Sequence, residues 1–211
     1  MLISFDLPGF KCPPDMVWHL KKVFAGEYDI PCNGTKLKIL DLGANCGAFS
    51  VWASHRWPGC IVECYEPHPE TYKDLIDNVA FYPNITAHRW AIGKPGMRPL
   101  FDGPNNCGEA SLQSMDNNPL PQLGRHVEVR DPLSLPEADI IKLDIEGSEW
   151  EVLEPLIKGG RTFKAVLLEF HNEDLRVKID RLLETDYRLV SINLVNYKIG
   201  TVCYVHKDYF E

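Results

Sequence analysis

Asp144, Glu146, Glu169 and His171 are the side chains of this 211-residue chain best placed to move a proton. Asp144 and Glu146 follow one apolar strand, and Glu169 and His171 close another, so neighbouring strand ends would bring them together. An imidazole among carboxylates has a reason to titrate near neutral pH, and such a group suits general acid–base work. The plainer readings are helix capping for Asp144 and Glu146, and a polar strand rim for Glu169 and His171. Hard cations also take carboxylate oxygens, but no metal site is assigned. Lys142 shares the parity of Asp144 and Glu146 along the strand, opposite Ile141, Leu143 and Ile145. A buried lysine is costly without a partner, so a structural ion pair with a carboxylate is expected for it.

A second group could hold a ligand. The apolar run Ile39 to Leu42 breaks at Gly43 and Gly47, and a helical pattern starts at Ala48. Strand, glycine turn and helix aim backbone N–H groups at whatever lies over the turn. Gly43 turns without a Cβ clash, and Gly47 lets a ligand approach the backbone. Asp41 and Asn45 frame the turn. Glu66 follows the next strand, 19 residues beyond Gly47, a distance that suits an acid on the two hydroxyls of a ribose. The spacing G-x-x-x-G lacks the third glycine of a dinucleotide fingerprint. An adenosine-type ligand with one ribose is therefore favoured over NAD, and an NAD-linked oxidoreductase is disfavoured.

These residues need a particular scaffold. Strands are expected at Leu37 to Leu42, Cys60 to Tyr65, Ile85 to Ile92, Asp139 to Ile145 and Ala165 to Phe170. Helices alternate with them: Ala48 to Arg56, an amphipathic one with Tyr72, Leu75, Ile76, Val79 and Ala80 on its stripe, one capped by a Ser148–Glu151 box with Pro155 inside it, and one capped by Asn172. The alternation predicts an α/β fold, a mostly parallel sheet with helices on both faces. Tyr187 to Leu194 and Ile199 to His206 flank a short turn at Asn196 and should pair antiparallel. Residues 1–36 form a lead-in with a helix carrying Val17, Leu20 and Phe24, capped by Asp15 and ended by Gly26. That helix is either packing or one wall of a substrate pocket. Residues 93–138 are rich in Gly, Pro and Asn, with short strands expected near 97–101 and 125–130. They read as an irregular insertion, a substrate lid or a surface loop. The whole chain, 1–211, fits one domain.

Composition narrows the partners. The formal net charge is −8, and no basic run exceeds Lys21-Lys22, which disfavours nucleic acid. No apolar run approaches a membrane span, and the first residues lack the pattern of a signal peptide. Seven scattered cysteines without a CxxC pair suggest neither a disulfide framework nor a zinc site. Cys60 and Cys64 read as small core residues. A reduced, cytoplasmic protein is expected.

The chain resembles the FkbM family of S-adenosylmethionine-dependent methyltransferases. The resemblance is carried by Asp41-Leu42-Gly43-Ala44-Asn45-Cys46-Gly47, by Tyr65-Glu66-Pro67 and by Ile141-Lys142-Leu143-Asp144-Ile145-Glu146-Gly147-Ser148-Glu149, with support from Glu169-Phe170-His171. It implies a Rossmann-like class I fold with a seven-stranded sheet and S-adenosylmethionine as cofactor. By position, Asp41, Gly43, Asn45 and Gly47 would serve the methionine and ribose side, Glu66 the ribose hydroxyls, and Ala91 and Ile92 the adenine. Asp144 and Glu146 look like the family's active-site acids. The implied reaction is O-methylation of a small molecule, sugar or natural product, with Asp144 the first candidate base and His171 the second. An RNA 2′-O-methyltransferase and a non-catalytic adenosine- or nucleotide-binding module stay open beside it. Neither acceptor nor oligomeric state follows from the sequence.

Overall fold

Short apolar runs between glycine and proline breaks become the strands of one central sheet. The fold was obtained as a computed structural model, and the structure describes residues 10–12, 16–32, 34–101, 110–112 and 122–209. Its elements are α1 (Val17–Phe24), β1 (Lys38–Leu42), α2 (Ala48–Arg56), β2 (Ile61–Tyr65), α3 (Pro69–Val79), β3 (Ile85–His88), β4 (Ala91–Ile92), β5 (Gly96–Phe101), β6 (Gln122–Arg130), β7 (Ile140–Leu143), α4 (Glu149–Lys158), β8 (Ala165–Phe170), α5 (Glu173–Leu183), β9 (Tyr187–Leu194) and β10 (Gly200–His206).

The seven-stranded sheet runs β3-β2-β1-β7-β8-β10-β9. The first five strands are parallel, and β10 lies antiparallel between β8 and β9. The chain moves outward from β1 through β2 to β3, then returns to place β7 on the other side of β1. That reversal opens a crevice beyond the carboxyl ends of β1 and β7, where open α/β sheets bind ligands. The apolar core has two halves. One joins α1, α2 and α3 to the face carrying Ile39, Ile140 and Leu167. The other joins α4 and α5 to the face carrying Leu40, Ile141 and Leu168.

Alternation along the strands sets the polar geometry. Lys142 and Asp144 share the parity of Ile140, and Glu169 that of Leu167, so all three turn to the α1 side. Asp41 shares the parity of Ile39 and stands directly across from Lys142 in the β1–β7 register.

Several local expectations change. The stretch 85–92 is two strands. β3 ends the main sheet, and β4 leaves it to join β6 and β5 in a separate three-stranded sheet. On α3, Leu75 and Val79 are buried but Ile76 is exposed and Ala80 lies beyond the helix. Thr71 and Asn78 complete its buried side instead. The expected Asp15 cap lies outside the described residues, and the α1 N-cap is Met16, with no side-chain bond. Ser148 stands at the N-cap of α4 but makes no capping bond, and Glu151 pairs with Arg98 at 2.9 Å. Asn172 caps α5 as expected. Helix α4 continues through Pro155 to Lys158.

Asn78 ties the lead-in to the ligand turn. Its Oδ1 accepts from the Lys11 N–H at 2.7 Å, and its Nδ2 donates to the carbonyls of Lys11 at 2.7 Å and Cys46 at 2.8 Å. Asn78→Ala removes all of these bonds and takes a donor from the buried Cys46 carbonyl. It should destabilise the protein by about 2 kcal/mol in urea unfolding.

Candidate functional site

The crevice at the strand reversal is a cavity of about 400 Å³, a volume typical of small-molecule sites. Its floor is the β1 turn, where Gly43 and Asn45 both take positive φ, 76° and 50°. A Cβ on Gly43 would fall 1.7 Å from the Asp144 carbonyl oxygen, so only glycine lets the β1 turn and the end of β7 come this close. The Asn45 N–H donates to Glu66 Oε2 at 2.9 Å, and the His68 N–H donates to Glu66 Oε1 at 2.8 Å. Each carboxylate oxygen keeps a lone-pair direction for a further donor. Glu66 is nearly buried, and that burial pushes its carboxyl up to about 7 despite the two backbone donors. Beside it, Tyr65, Trp90, Ala91, Ile92, Leu100 and Leu112 give an apolar wall.

Gly43, Asn45, Glu66, Ala91 and Ile92 thus line the cavity as the sequence suggests, but Asp41 and Gly47 do not. Asp41 is fully buried: its Oδ2 accepts from Ser50 Oγ at 2.7 Å and its Oδ1 lies 3.3 Å from Lys142 Nζ. Strand parity aims it under the turn. Gly47 has φ 88°, and a Cβ there would meet Leu75 of α3 at 2.8 Å. Close packing of α3 against the turn, rather than access for a ligand, accounts for this glycine.

At the other end of the cavity lie Asp144, Glu146, Glu169 and His171, together with His19 from α1. Donor atoms of His19, Asp144 and Glu169 lie within 4.8 Å of one another, as do those of Asp144, Glu146 and His171. Lys142 anchors this end. Its Nζ is 3.4 Å from Asp144 Oδ2 and donates to the Gly43 carbonyl at 2.8 Å. Burial works against the ammonium, but Asp144 and Asp41 more than offset it, and the lysine stays charged.

The acids and the imidazole divide sharply in protonation. Burial would raise Asp144, yet Lys142, His19 and His171 outweigh it and hold the carboxyl at about 2. Burial and the adjacent Asp144 carboxylate push Glu169 well above the usual range. His171 sits between Glu146, 3.2 Å from Nε2, and Glu149, 3.4 Å from Nδ1. Burial would lower the imidazole, but these carboxylates carry it up to about 10. Efficient proton acceptors have pKa values near the working pH. Asp144 is held below that range by Lys142, and His171 is held above it by Glu146 and Glu149.

Glu146 has φ 52° and Gly147 φ 94°. This tight turn is held by Glu149, whose buried Oε1 accepts from the Gly147 N–H at 3.0 Å, and by Ser111 Oγ, which donates to the Glu146 carbonyl at 2.7 Å. Trp18 and His19 of α1, with Met16 at its N-cap, form a wall of the cavity, and Val195 and Ile199 close it from the β9–β10 hairpin. His19, Trp90 and the hairpin residues were missed by sequence reasoning. No motif surrounds them, and only the amphipathic pattern of α1 hinted at a wall.

The family model described as the methyltransferase FkbM domain matches residues 41–189. The chain is 26% identical over 203 residues to Methyltransferase sdnD of Sordaria araneosa, covering 78% of each chain. It is 24% identical over 162 residues to Methyltransferase 1 of Beauveria bassiana, covering 64% of this chain and 65% of that one. In fold it is similar to a precorrin-6y C5,15-methyltransferase of Geobacter metallireducens, with a TM-score of 0.56, 15% identity and 98% of each chain covered. It also resembles the fibrillarin pre-rRNA processing protein of Methanococcus jannaschii, with a TM-score of 0.52, 16% identity, and 88% and 72% covered. At these identities the two structures speak for a Rossmann-like methyltransferase fold alone.

Removing the Lys142 charge leaves Asp41 and Asp144 buried without their shared cation. Lys142→Met should cost about 4 kcal/mol in chemical denaturation. Glu66 supplies a pH test. Its folded pKa lies above the usual 4.5, so stability from holding that proton is complete below the unfolded value and is lost as pH rises through about 7. Relative to Glu66→Gln, the wild-type protein should lose stability between about pH 5 and about pH 8 in urea titrations.

Proposed function

From the premise that the chain belongs to the FkbM methyltransferases, we propose that it transfers the methyl group of S-adenosylmethionine to a hydroxyl of a small molecule, a sugar or another natural product. The observation that carries this reading is the division of one cavity into two chemistries. At the β2 end, a buried carboxylate stands beside a positive-φ turn and an apolar wall. At the β8 end stands a cluster of fixed charges. The β2 and β8 ends are three strand spacings apart, roughly 14 Å, which leaves room for a nucleoside and an acceptor side by side.

The donor set suits this cofactor. Glu66 retains acceptor capacity for two ribose hydroxyls, and the absence of a third glycine fits a ligand without a pyrophosphate. Ala91, Ile92 and Trp90 offer the adenine an apolar slot. Asn45 and Gly43 hold the backbone at the turn in a shape that leaves the floor open. When bound, S-adenosylmethionine supplies an electrophilic methyl group on a sulfonium.

The chain's own residues do the rest of the work. The cavity walls align acceptor oxygen, methyl carbon and sulfur for in-line displacement. Asp144, fixed as an anion by Lys142, stabilises positive charge that develops where the acceptor hydroxyl loses its proton. Protonated Glu169 can donate a hydrogen bond to the acceptor. Trp18, Val195 and Ile199 set an apolar rim beside these groups, which favours an acceptor with an apolar body next to its hydroxyl. The net charge of −8 opposes an RNA acceptor. No helix among the described residues is long and apolar enough to cross a membrane. Cys32, Cys46, Cys60, Cys64 and Cys203 are thiols, which suits a reducing compartment such as the cytoplasm.

Calorimetry and product analysis test the reading. Glu66→Ala should weaken S-adenosylmethionine binding by about tenfold or more, equivalent to one lost hydrogen bond to a charged group. Asp144→Asn should leave that binding within about twofold and lower methyl transfer by about 100-fold, as expected for loss of a preorganised charge. A wild-type protein that binds no S-adenosylmethionine would overturn the proposal.

A further inference from the structure

The acceptor's proton needs a destination, and none of the sheet-borne groups provides it. Asp144 faces Lys142 at 3.4 Å, burial and Asp144 push Glu169 above the usual carboxylate range, and His171 sits between Glu146 and Glu149. One titratable side chain at this end is placed differently. His19 lies on α1, lines the cavity, and has its side chain about one-fifth exposed. Its Nε2 is 3.8 Å from Asp144 Oδ2, too far for a direct hydrogen bond. Among the described residues its ring makes no hydrogen bond.

We infer that His19 is the general base of the methyl transfer and that Asp144 is the residue that stabilises its charged form. This rests on the methyl-transfer reading above. The 3.8 Å gap lets an acceptor hydroxyl approach Nε2 while Asp144 faces the same imidazole. As the oxygen–carbon bond forms, the carbon–sulfur bond breaks and its electron pair stays on sulfur, giving the neutral thioether S-adenosylhomocysteine. The hydroxyl proton passes to Nε2, and the new imidazolium lies against the Asp144 carboxylate. Charge is conserved: the positive charge on sulfur is exchanged for one on His19. Asp144 faces the same ring nitrogen that takes the proton, so its part is to stabilise the imidazolium by charge and not to orient the ring through the other nitrogen, as the carboxylate of a Ser-His-Asp triad does.

The surroundings of His19 fit the role. From β7 it faces Lys142 and Asp144, and from the end of β8 it faces Glu169. His171 and Glu146 stand beyond Asp144. Behind it, in a small cavity shared with Lys142 and Asp144, lies Tyr28, whose buried hydroxyl has no partner. The Trp18 ring stands edge-on at 5.4 Å and limits how the imidazole can swing. His19 also precedes the segment matched by the family model, residues 41–189. The base would therefore come from the lead-in helix, outside the part of the chain that carries the family motifs.

The test uses the full chain, labelled S-adenosylmethionine, and a panel of alkyl glucosides and hydrophobic alcohols, with products read by mass spectrometry. His19→Asn should bind S-adenosylmethionine within about twofold of wild type and lose about 100-fold or more in kcat/KM, the usual contribution of a general base. Its acid limb in the pH–rate profile should vanish, and added imidazole should restore part of the rate to His19→Gly. Normal turnover by His19→Asn, or a slowed enzyme with its acid limb intact and no imidazole rescue, would overturn the assignment while leaving the methyl-transfer reading standing. A wild-type protein that binds S-adenosylmethionine but methylates none of the panel would count against the transfer reading and the base with it. If His19→Gly does not fold, His19→Asn and His19→Gln decide through the pH profile. If none of the three folds, His19 is a packing residue and the assignment falls.

Discussion

One buried ammonium joins the two strands between which the sheet changes direction. Lys142 on β7 meets Asp41 on β1 at 3.3 Å and Asp144 at 3.4 Å, and donates to the Gly43 carbonyl at the β1 turn. An ion pair this deep is weak evidence for stability, because desolvation offsets much of the attraction. Its value is positional. The lysine fixes the β1 turn at the floor of the cavity and the Asp144 carboxylate at its other end, and it fixes them relative to each other. Gly43 belongs to the same device, since a side chain there would collide with the Asp144 carbonyl. The two ends of the cavity are thus built from one contact.

Charge order at the site follows from that contact. Lys142 holds the Asp144 carboxyl low, and burial together with the Asp144 carboxylate pushes Glu169 up. Glu146 and Glu149 keep His171 charged, while Glu149 also holds the strained turn at Glu146 and Gly147. Each group at the carboxyl ends of β7 and β8 is set by a partner. Such an array is preorganised: it presents fixed charge to a reaction without rearranging during it.

Much of this was legible in the sequence, for identifiable reasons. Period-two alternation placed Lys142 opposite Ile141 and Leu143, and the structure adds its carboxylate partners. Glycine and proline breaks located nearly every strand, and spacing brought Glu66 to the same cavity as Asn45. Where reasoning failed, a nearby contact in space had replaced a nearby residue in sequence. Asp41 looked like a ligand group because it stands beside the glycine turn, but parity turns it to Ser50 and Lys142. Gly47 looked open to a ligand, but α3 fills that space. The box at Ser148 and Glu151 was broken by Arg98, a residue of the small sheet that no local pattern connects to α4. The run 85–92 looked continuous because leaving one sheet for another requires no break in apolar character.

His19 shows the same limit from the other direction. A lone histidine on an amphipathic helix has no motif, and α1 reaches the cavity only because the sheet's α1-side face carries Asp144 and Glu169 at its end. There is also a physical reason for a base to come from this helix. A proton acceptor must change charge during each cycle, whereas the groups on β7 and β8 are locked by mutual ion pairs and resist such a change. A side chain that approaches the fixed array from outside, close enough to Asp144 to be stabilised when charged and not bonded to it when neutral, can gain and lose a proton without unsettling the turn beneath the ligand. In the proposed reaction the helix supplies that side chain, and the sheet supplies the Asp144 carboxylate 3.8 Å from it.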